Sequence, residues 1–228
     1  QKNYPITVKS SLGDSLVLDP KIMIISTPPD KHLKYSKIAI KKNIHFFTEV
    51  NLISKHVEKI ILLLKRKSLF ASPSSTMHFH PVIKVLKKLL QQKVIGNPLI
   101  IHHHCGQFLP YWHPWEDYRD FFVSNKQTGG AKEIIYMELS WLTHLFSDIK
   151  SVMGNVEKIS KLDVEIDDVY QTLLKFKNNL LCTMTIDILS IPSFRETTIV
   201  GENGTIKCDF NKGKIKIYKG NQIKKISV

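Results

Sequence analysis

The first long apolar stretch is Lys21-Ile-Met-Ile-Ile-Ser-Thr27, a continuous run that predicts a parallel strand buried on both faces. Thr27-Pro-Pro-Asp30 stops it, because proline cannot donate to a strand ladder. A helix fits from about Asp30 to Lys42, with Leu33, Ile38 and Ala39 apolar. Ile44-His-Phe-Phe-Thr48 predicts the next strand. Leu52 to Lys67 predicts a second helix, with Val57, Ile60, Ile61 and Leu64 on one face, and Leu69-Phe-Ala71 a third short strand. Strands alternating with helices of this length imply βαβ units, so the three strands are expected as parallel neighbours.

The pattern changes after Pro73. His80 to Lys93 spaces Val82, Val85, Leu86, Leu89 and Leu90 as an amphipathic helix. Leu99 to Gln107 is strand-like, Trp112 to Tyr118 is an aromatic loop containing proline, and Gly129-Gly130 opens a helix to about Phe146. From Ser151 to Val228, turn signals at Asn178-Asn179, Glu202-Asn-Gly204, Asn211-Lys-Gly213 and Gly220-Asn221 separate several strands, predicting a predominantly antiparallel sheet. The expected fold is therefore α/β followed by α+β, with a break near residue 72.

Composition narrows the partners. The 228 residues carry 33 Lys and Arg against 20 Asp and Glu, a net charge of +13 that favours anionic ligands. The excess is nearly all lysine scattered among Ile and Asn, which is equally the mark of solvated faces. The basic runs at Lys84, Lys87 and Lys88 and from Lys212 to Lys225 lack an aromatic platform or reading helix, so no nucleic-acid partner is expected. Cys105, Cys182 and Cys208 form no CxxC pair and suit a reducing cytosol. No apolar run is long enough for a membrane span, and no signal peptide is visible.

Ile22 to Leu52 resembles the N-terminal domain of Gfo/Idh/MocA oxidoreductases: a strand, Thr27-Pro28-Pro29, His32, a helix, a strand and Glu49. Downstream, Gly106 to Tyr118, then Gly129-Gly-Ala131 and a helix ending in Leu145-Phe146, resembles a branch linked to surface-polysaccharide and nucleotide-sugar metabolism. The resemblance implies that residues 1–72 are a partial dinucleotide-binding (Rossmann) domain without its first βαβ unit. Residues 73–228 would then be a substrate-binding domain. It implies NAD or NADP as cofactor, contacted by Thr27, Pro28, Pro29, His32 and Glu49, and a sugar or nucleotide-sugar substrate. A homodimer through the antiparallel sheet follows by analogy. The chain departs from the family at three places. The GxGxxG turn that holds the pyrophosphate would precede residue 1. Glu-Lys-Pro reads Glu49-Val50-Asn51, and the helix positions of the family's His and Asp fall on Met137 and Ser140.

Three constellations remain open. At 100° per residue Glu138 lies mid-stripe among Ala131, Ile134, Leu142 and Leu145, either as a general acid or base or, the commoner case, as a structural ion pair. Glu133 is its rival nearer the substrate side. The loop Trp112 to Tyr118 gathers Trp112, His113, Trp115, Glu116, Asp117 and Tyr118, which suits either a carbohydrate site or a buried corner. His102 and His104 share one strand face, and a polar face explains them without a metal. The reading is a cytoplasmic NAD(P)-dependent oxidoreductase-like protein of cell-surface polysaccharide metabolism. Its proton-handling group would be His113, Glu133 or Glu138. The alternative is a catalytically inactive paralogue that binds a sugar or a partner.

Overall fold

The computed structural model describes residues 6–50 and 53–228. They divide into two compact units, the first ending at Ser74 and the second spanning Ser75–Val228.

In the first unit a short helix α1 (Leu12–Leu16) is capped by Ser11, whose hydroxyl accepts from the Asp14 amide. Then come β1 (Ile22–Ile25), α2 (Pro29–Lys42), β2 (His45–Thr48), α3 (Ser54–Leu64) and β3 (Ala71–Pro73). The strands stand in the order β1-β2-β3, and both pairings are parallel. Proline opens α2 where its preset φ suits the first turn. Asn43, at φ 55, closes the helix in the left-handed conformation after Lys41 and Lys42. Ile25, Ala39, Ile40, Ile44, Phe46 and Ile60 form the core.

Three details correct the sequence expectations. β1 is buried on one face only: Ile25 packs inward, while Ile22 and Ile24 are 66% and 72% exposed. Ile61 leaves the apolar face of α3 and is exposed with Leu62 and Leu63, while Ile60 and, one turn on, Leu64 face the core. The third strand is shifted towards the C-terminus and shares only Ala71 with its expected span. Leu52, the expected start of the second helix, and Asn51, the last position of Glu49-Val50-Asn51, lie outside the described residues.

The second unit contains α4 (Pro81–Gln91), β4 (Pro98–Gly106), α5 (Lys132–Leu145), β5 (Ile149–Glu157), β6 (Val169–Phe176), β7 (Leu181–Asp187), β8 (Phe194–Gly201), β9 (Gly204–Asp209), β10 (Lys214–Lys219) and β11 (Gln222–Ser227). Its eight strands run in the order β11-β10-β9-β8-β4-β7-β6-β5. Every pairing is antiparallel except β4 with β7, so the sheet is mixed, and it begins at β4 rather than after Ser151. His80 lies outside α4 as its cap, with ring Nδ1 accepting from the Val82 amide at 3.2 Å. Val82, Ile83, Leu86 and Leu89 of α4 and Ile134, Trp141 and Leu142 of α5 join the inward residues of the strands in one core.

The chain enters α5 through a crowded turn. A Cβ on Gly129 would stand 1.6 Å from the Val123 carbonyl oxygen, and Gly130 has φ 74 with the Asp167 carbonyl close by. Gly129→Ala is therefore expected to destabilise the fold by about 3 kcal/mol, the upper end of overpacking costs. Urea unfolding checks this, and a loss near zero would mean that the turn is loose.

Among the described residues no helix is long and apolar enough to cross a membrane. All three cysteines are unpaired and buried, and burial is the main cause pushing each thiol up to about 12. They are poor nucleophiles in this state.

Candidate functional site

In the first unit, the residues singled out by the sequence gather at the carboxyl ends of β1 and β2, where an open parallel sheet receives ligands. Ile25 pairs with Thr48, and the Glu49 amide donates to the Ile25 carbonyl at 3.0 Å. Thr27 and Glu49 are thus at neighbouring strand ends, and Pro28 and Pro29 lead into α2. His32 is fully buried on α2, with Nε2 2.5 Å from the Thr27 carbonyl. Burial lowers its pKa against the raising effect of that hydrogen bond, so the imidazole is neutral at pH 7. Three buried polar atoms here have no protein partner: Thr27 Oγ1, His32 Nδ1 and Thr48 Oγ1. Buried polar groups are normally satisfied, so this edge suits a polar ligand. It is not a pyrophosphate cradle: Gly13, in α1, is the only glycine before residue 75.

In the second unit, the aromatic loop divides into anchored and free residues. Trp112 and Tyr118 pack against the core, and the Tyr118 hydroxyl accepts from the Asp163 amide. Trp115 is 76% exposed. His113 contacts the rings of Trp115 and Phe121, with centroids at 4.9 and 4.0 Å, and its Nδ1 is 2.5 Å from Glu116 Oε1. Asp117 is held by Arg119, whose hydrogen bonds lower its pKa to about 2. Beside the anchored part is a pocket of about 310 Å³ lined by Gln107, Phe108, Tyr111, Trp112 and the segment Ser190–Ser193. The Trp112 indole N–H, on a residue lining this pocket, is buried without an acceptor. Aromatic walls, hydroxyl and amide groups and a spare donor suit a sugar-sized polyol.

Glu138 is where its spacing on α5 puts it, on the buried face, with no exposed surface. Its carboxylate receives the Trp141 indole N–H at 2.7 Å and touches His103 Nε2 at 3.0 Å and Arg195 Nε at 2.9 Å. The last two contacts are close in distance but poorly aligned as hydrogen bonds. Burial raises the Glu138 pKa, and the opposing effects of His103, Arg195 and Trp141 outweigh it, leaving the group below the usual carboxylate value. The geometry is that of an ion pair fastening α5 to β4 and β8. Glu133 is half-buried in the first turn of α5. Ser140 Oγ is 2.9 Å from His78 Nε2, and Met137 packs against the core.

The three consecutive histidines take separate partners. His103 points into the core, with Nδ1 2.8 Å from Thr197 Oγ1. On the opposite face His102 reaches Thr183 at 2.7 Å and His104 reaches Asp187 at 2.8 Å. No group of three or more metal-ligating side chains forms among the described residues. Sequence reasoning missed Asp187, which has no local signal because it and His104 are 83 residues apart. Burial raises the Asp187 pKa, but the hydrogen bonds from His104, the Leu189 amide and Ser190 hold it below the ordinary value. Its partner His104 keeps Nδ1 as the free ring nitrogen, and Ser190, bonded to the same carboxylate, lines the pocket beside Trp112.

The profile of the GFO/IDH/MocA C-terminal domain matches residues 83–207, more than half of the chain, and the chain belongs to that family. A curated oxidoreductase of Formosa agariphila is 26% identical, with the match covering 97% of this chain and 68% of that protein. Among solved structures, a levoglucosan dehydrogenase in complex with NADH superposes with a TM-score of 0.82 at 16% identity, covering 96% of this chain and 64% of its own. An NAD-binding oxidoreductase from Klebsiella pneumoniae gives 0.78 at 16% identity, covering 91% and 61%. This chain thus spans less than two thirds of either solved protein. The likenesses show the fold, a short parallel sheet and a large mixed, mostly antiparallel one, as the strand pattern implies.

Proposed function

We propose that the chain is part of an NAD(P)-dependent oxidoreductase that binds a sugar or nucleotide-sugar in the pocket beside Trp112. The observation that carries this reading is the pocket itself, with three aromatic side chains, two serines, a glutamine and, on its lining residue Trp112, an unsatisfied indole N–H, in a chain whose fold is like that of a levoglucosan dehydrogenase bound to NADH and levoglucosan. Within it, Tyr111 and Trp112 supply ring faces, and Gln107, Ser190 and Ser193 orient hydroxyls. His113, steered by Glu116, is the proton-handling candidate of the original three that keeps both exposure and an orienting carboxylate. The His104–Asp187 pair is a second one. We place the protein in the cytoplasm, in cell-surface polysaccharide metabolism. The homodimer would form through the apolar half of the open sheet face, where Met153, Leu173 and Leu181 are 73%, 55% and 51% exposed.

When bound, the dinucleotide supplies or accepts the hydride. Thr27, His32 and Glu49 would hold its nicotinamide end, using the unsatisfied atoms at the strand ends. Nothing in these residues replaces the glycine turn and helix N-terminus that hold a pyrophosphate. The 228-residue chain alone is accordingly expected to bind NADH and NADPH weakly or not at all in calorimetric titration. Tight binding would mean that the cofactor contacts lie elsewhere. Saturation-transfer NMR with free hexoses tests the sugar half, with transfer expected to ring C–H protons that touch aromatic walls. An absence of transfer from the wild-type chain would remove it.

The second reading, a sugar-binding paralogue without catalysis, is favoured by Val50, Met137 and Ser140. None carries a group that titrates near neutrality, and Ser140 is engaged with His78.

A further inference from the structure

The open face of the large sheet carries an arrangement that the sugar reading does not use. Lys207 on β9, Lys216 on β10 and Lys225 on β11 stand directly opposite one another in the antiparallel register. All three are exposed. Strands are about 4.8 Å apart, so the ends of this ladder are about 10 Å apart. Like charges directly opposite each other destabilise a sheet, and here two such pairs are consecutive. No carboxylate pairs with them: none of the three lysines takes part in an ion pair among the described residues. Protection of a sheet edge explains Lys225, which is on the outermost strand, but not Lys207 and Lys216, whose strands are paired on both sides.

The same lysines line a concavity of about 620 Å³, together with Lys212 and Lys214 and only two carboxylates, Glu196 and Asp209. Asp209 is already paired with Lys212 at 3.1 Å. The Thr198 and Ser227 hydroxyls border the ladder and offer neutral donors. Lys214 is two residues from Lys216 on the same face, about 6.7 Å along the strand. The patch is thus two-dimensional and short, ending at the sheet edge, and Tyr218, under Lys207, is the ring it contacts. It lacks the rows of aromatic platforms that successive bases need.

We propose that this face binds a ligand carrying two or more phosphate or sulfate groups spaced about 5–10 Å apart, matching the lysine spacing. The ligand anions take the place of the missing counter-charges, forming charge-assisted contacts to Lys207, Lys216 and Lys225. This site is separate from the pocket beside Trp112 and does not depend on the oxidoreductase reading.

Calorimetry at low ionic strength tests it, with inorganic tripolyphosphate, orthophosphate and a sulfated disaccharide as probes. Tripolyphosphate or the sulfated disaccharide is expected to bind at least about tenfold more tightly than orthophosphate, as one added charged contact allows. The tighter of the two identifies the source as a phosphate chain or a sulfated sugar. Lys216→Gln should weaken the tighter probe about tenfold for the same reason. Lys41→Gln, at an exposed position on α2, should leave it unchanged. Without ligand, Lys216→Gln should melt no lower than the wild type, because it relieves repulsion, so a binding loss is distinguishable from misfolding. Equal losses in both variants would reduce the effect to diffuse net charge and overturn the site. So would orthophosphate binding as tightly as the larger probes. A dimer by light scattering that binds no probe would assign the face to a second copy instead.

Discussion

Glu138→Ala should lower the unfolding free energy by about 3–5 kcal/mol, the cost of removing one partner from a buried ion pair. The carboxylate has no solvent exposure, and its loss strands the Arg195 guanidinium, the His103 ring and the Trp141 N–H between α5 and the sheet. Glu138→Gln should recover little, because it keeps the shape and loses the charge. A Glu138→Leu, Arg195→Met double variant should lose much less than the sum of its single changes, since replacing both charges with apolar groups is often neutral. The pH dependence has a defined sign. A carboxyl whose folded pKa is below its unfolded value contributes stability above the unfolded pKa, and that stability is lost as pH falls through the folded one. The difference between wild type and Glu138→Gln should therefore shrink on acidification. Additive loss in the double variant would contradict the pairing.

Trp112→Phe and Trp115→Ala separate the two roles within the aromatic loop. Trp112→Ala would cost about 3 kcal/mol of packing and confuse binding with folding. Phenylalanine keeps most of the ring and removes the indole N–H, so stability should change by about 1 kcal/mol or less. Sugar affinity should fall about tenfold or more with the loss of that donor, whose hydroxyl partner is then left unpaired. Trp115, exposed and stacked only on His113, should tolerate alanine within about 0.5 kcal/mol, as surface positions do. A stability loss of several kcal/mol in Trp115→Ala would make the whole loop a packed corner.

Local patterns made most of the fold legible. The i, i+3, i+4 spacing in α4 put Val82, Leu86 and Leu89 in the core. The turn residues Asn179, Gly213 and Gly220 all have positive φ between strands. What the pattern could not show depends on distant pairing. β4 runs parallel to β7 although some eighty residues separate them, because α5 and β5–β6 intervene, and no local period encodes that choice. The run at Ile22 looked buried on both faces because hydrophobicity reports a preference for burial, not the presence of a covering element. For the candidate site, the spacing on α5 placed Glu138 inward, but its partners come from β4 and β8. The pocket beside Trp112 needed Ser190 and Ser193, whose segment contains no motif. Asp187 looked like an ordinary strand end until His104 was seen against it.

The most direct test of the sugar pocket uses the chain's three tryptophans as internal reporters. Each gives one indole N–H resonance in a nitrogen–proton correlation spectrum, and the three environments differ. The Trp141 N–H is bonded to buried Glu138, Trp112 borders the pocket with its N–H unsatisfied, and Trp115 is exposed. Titration with levoglucosan, L-sorbose and a panel of free hexoses should move the Trp112 resonance in a saturable way and leave the Trp141 resonance in place. A Trp112 resonance that stays fixed with every sugar, or moves only together with Trp141, would contradict a sugar pocket at this position.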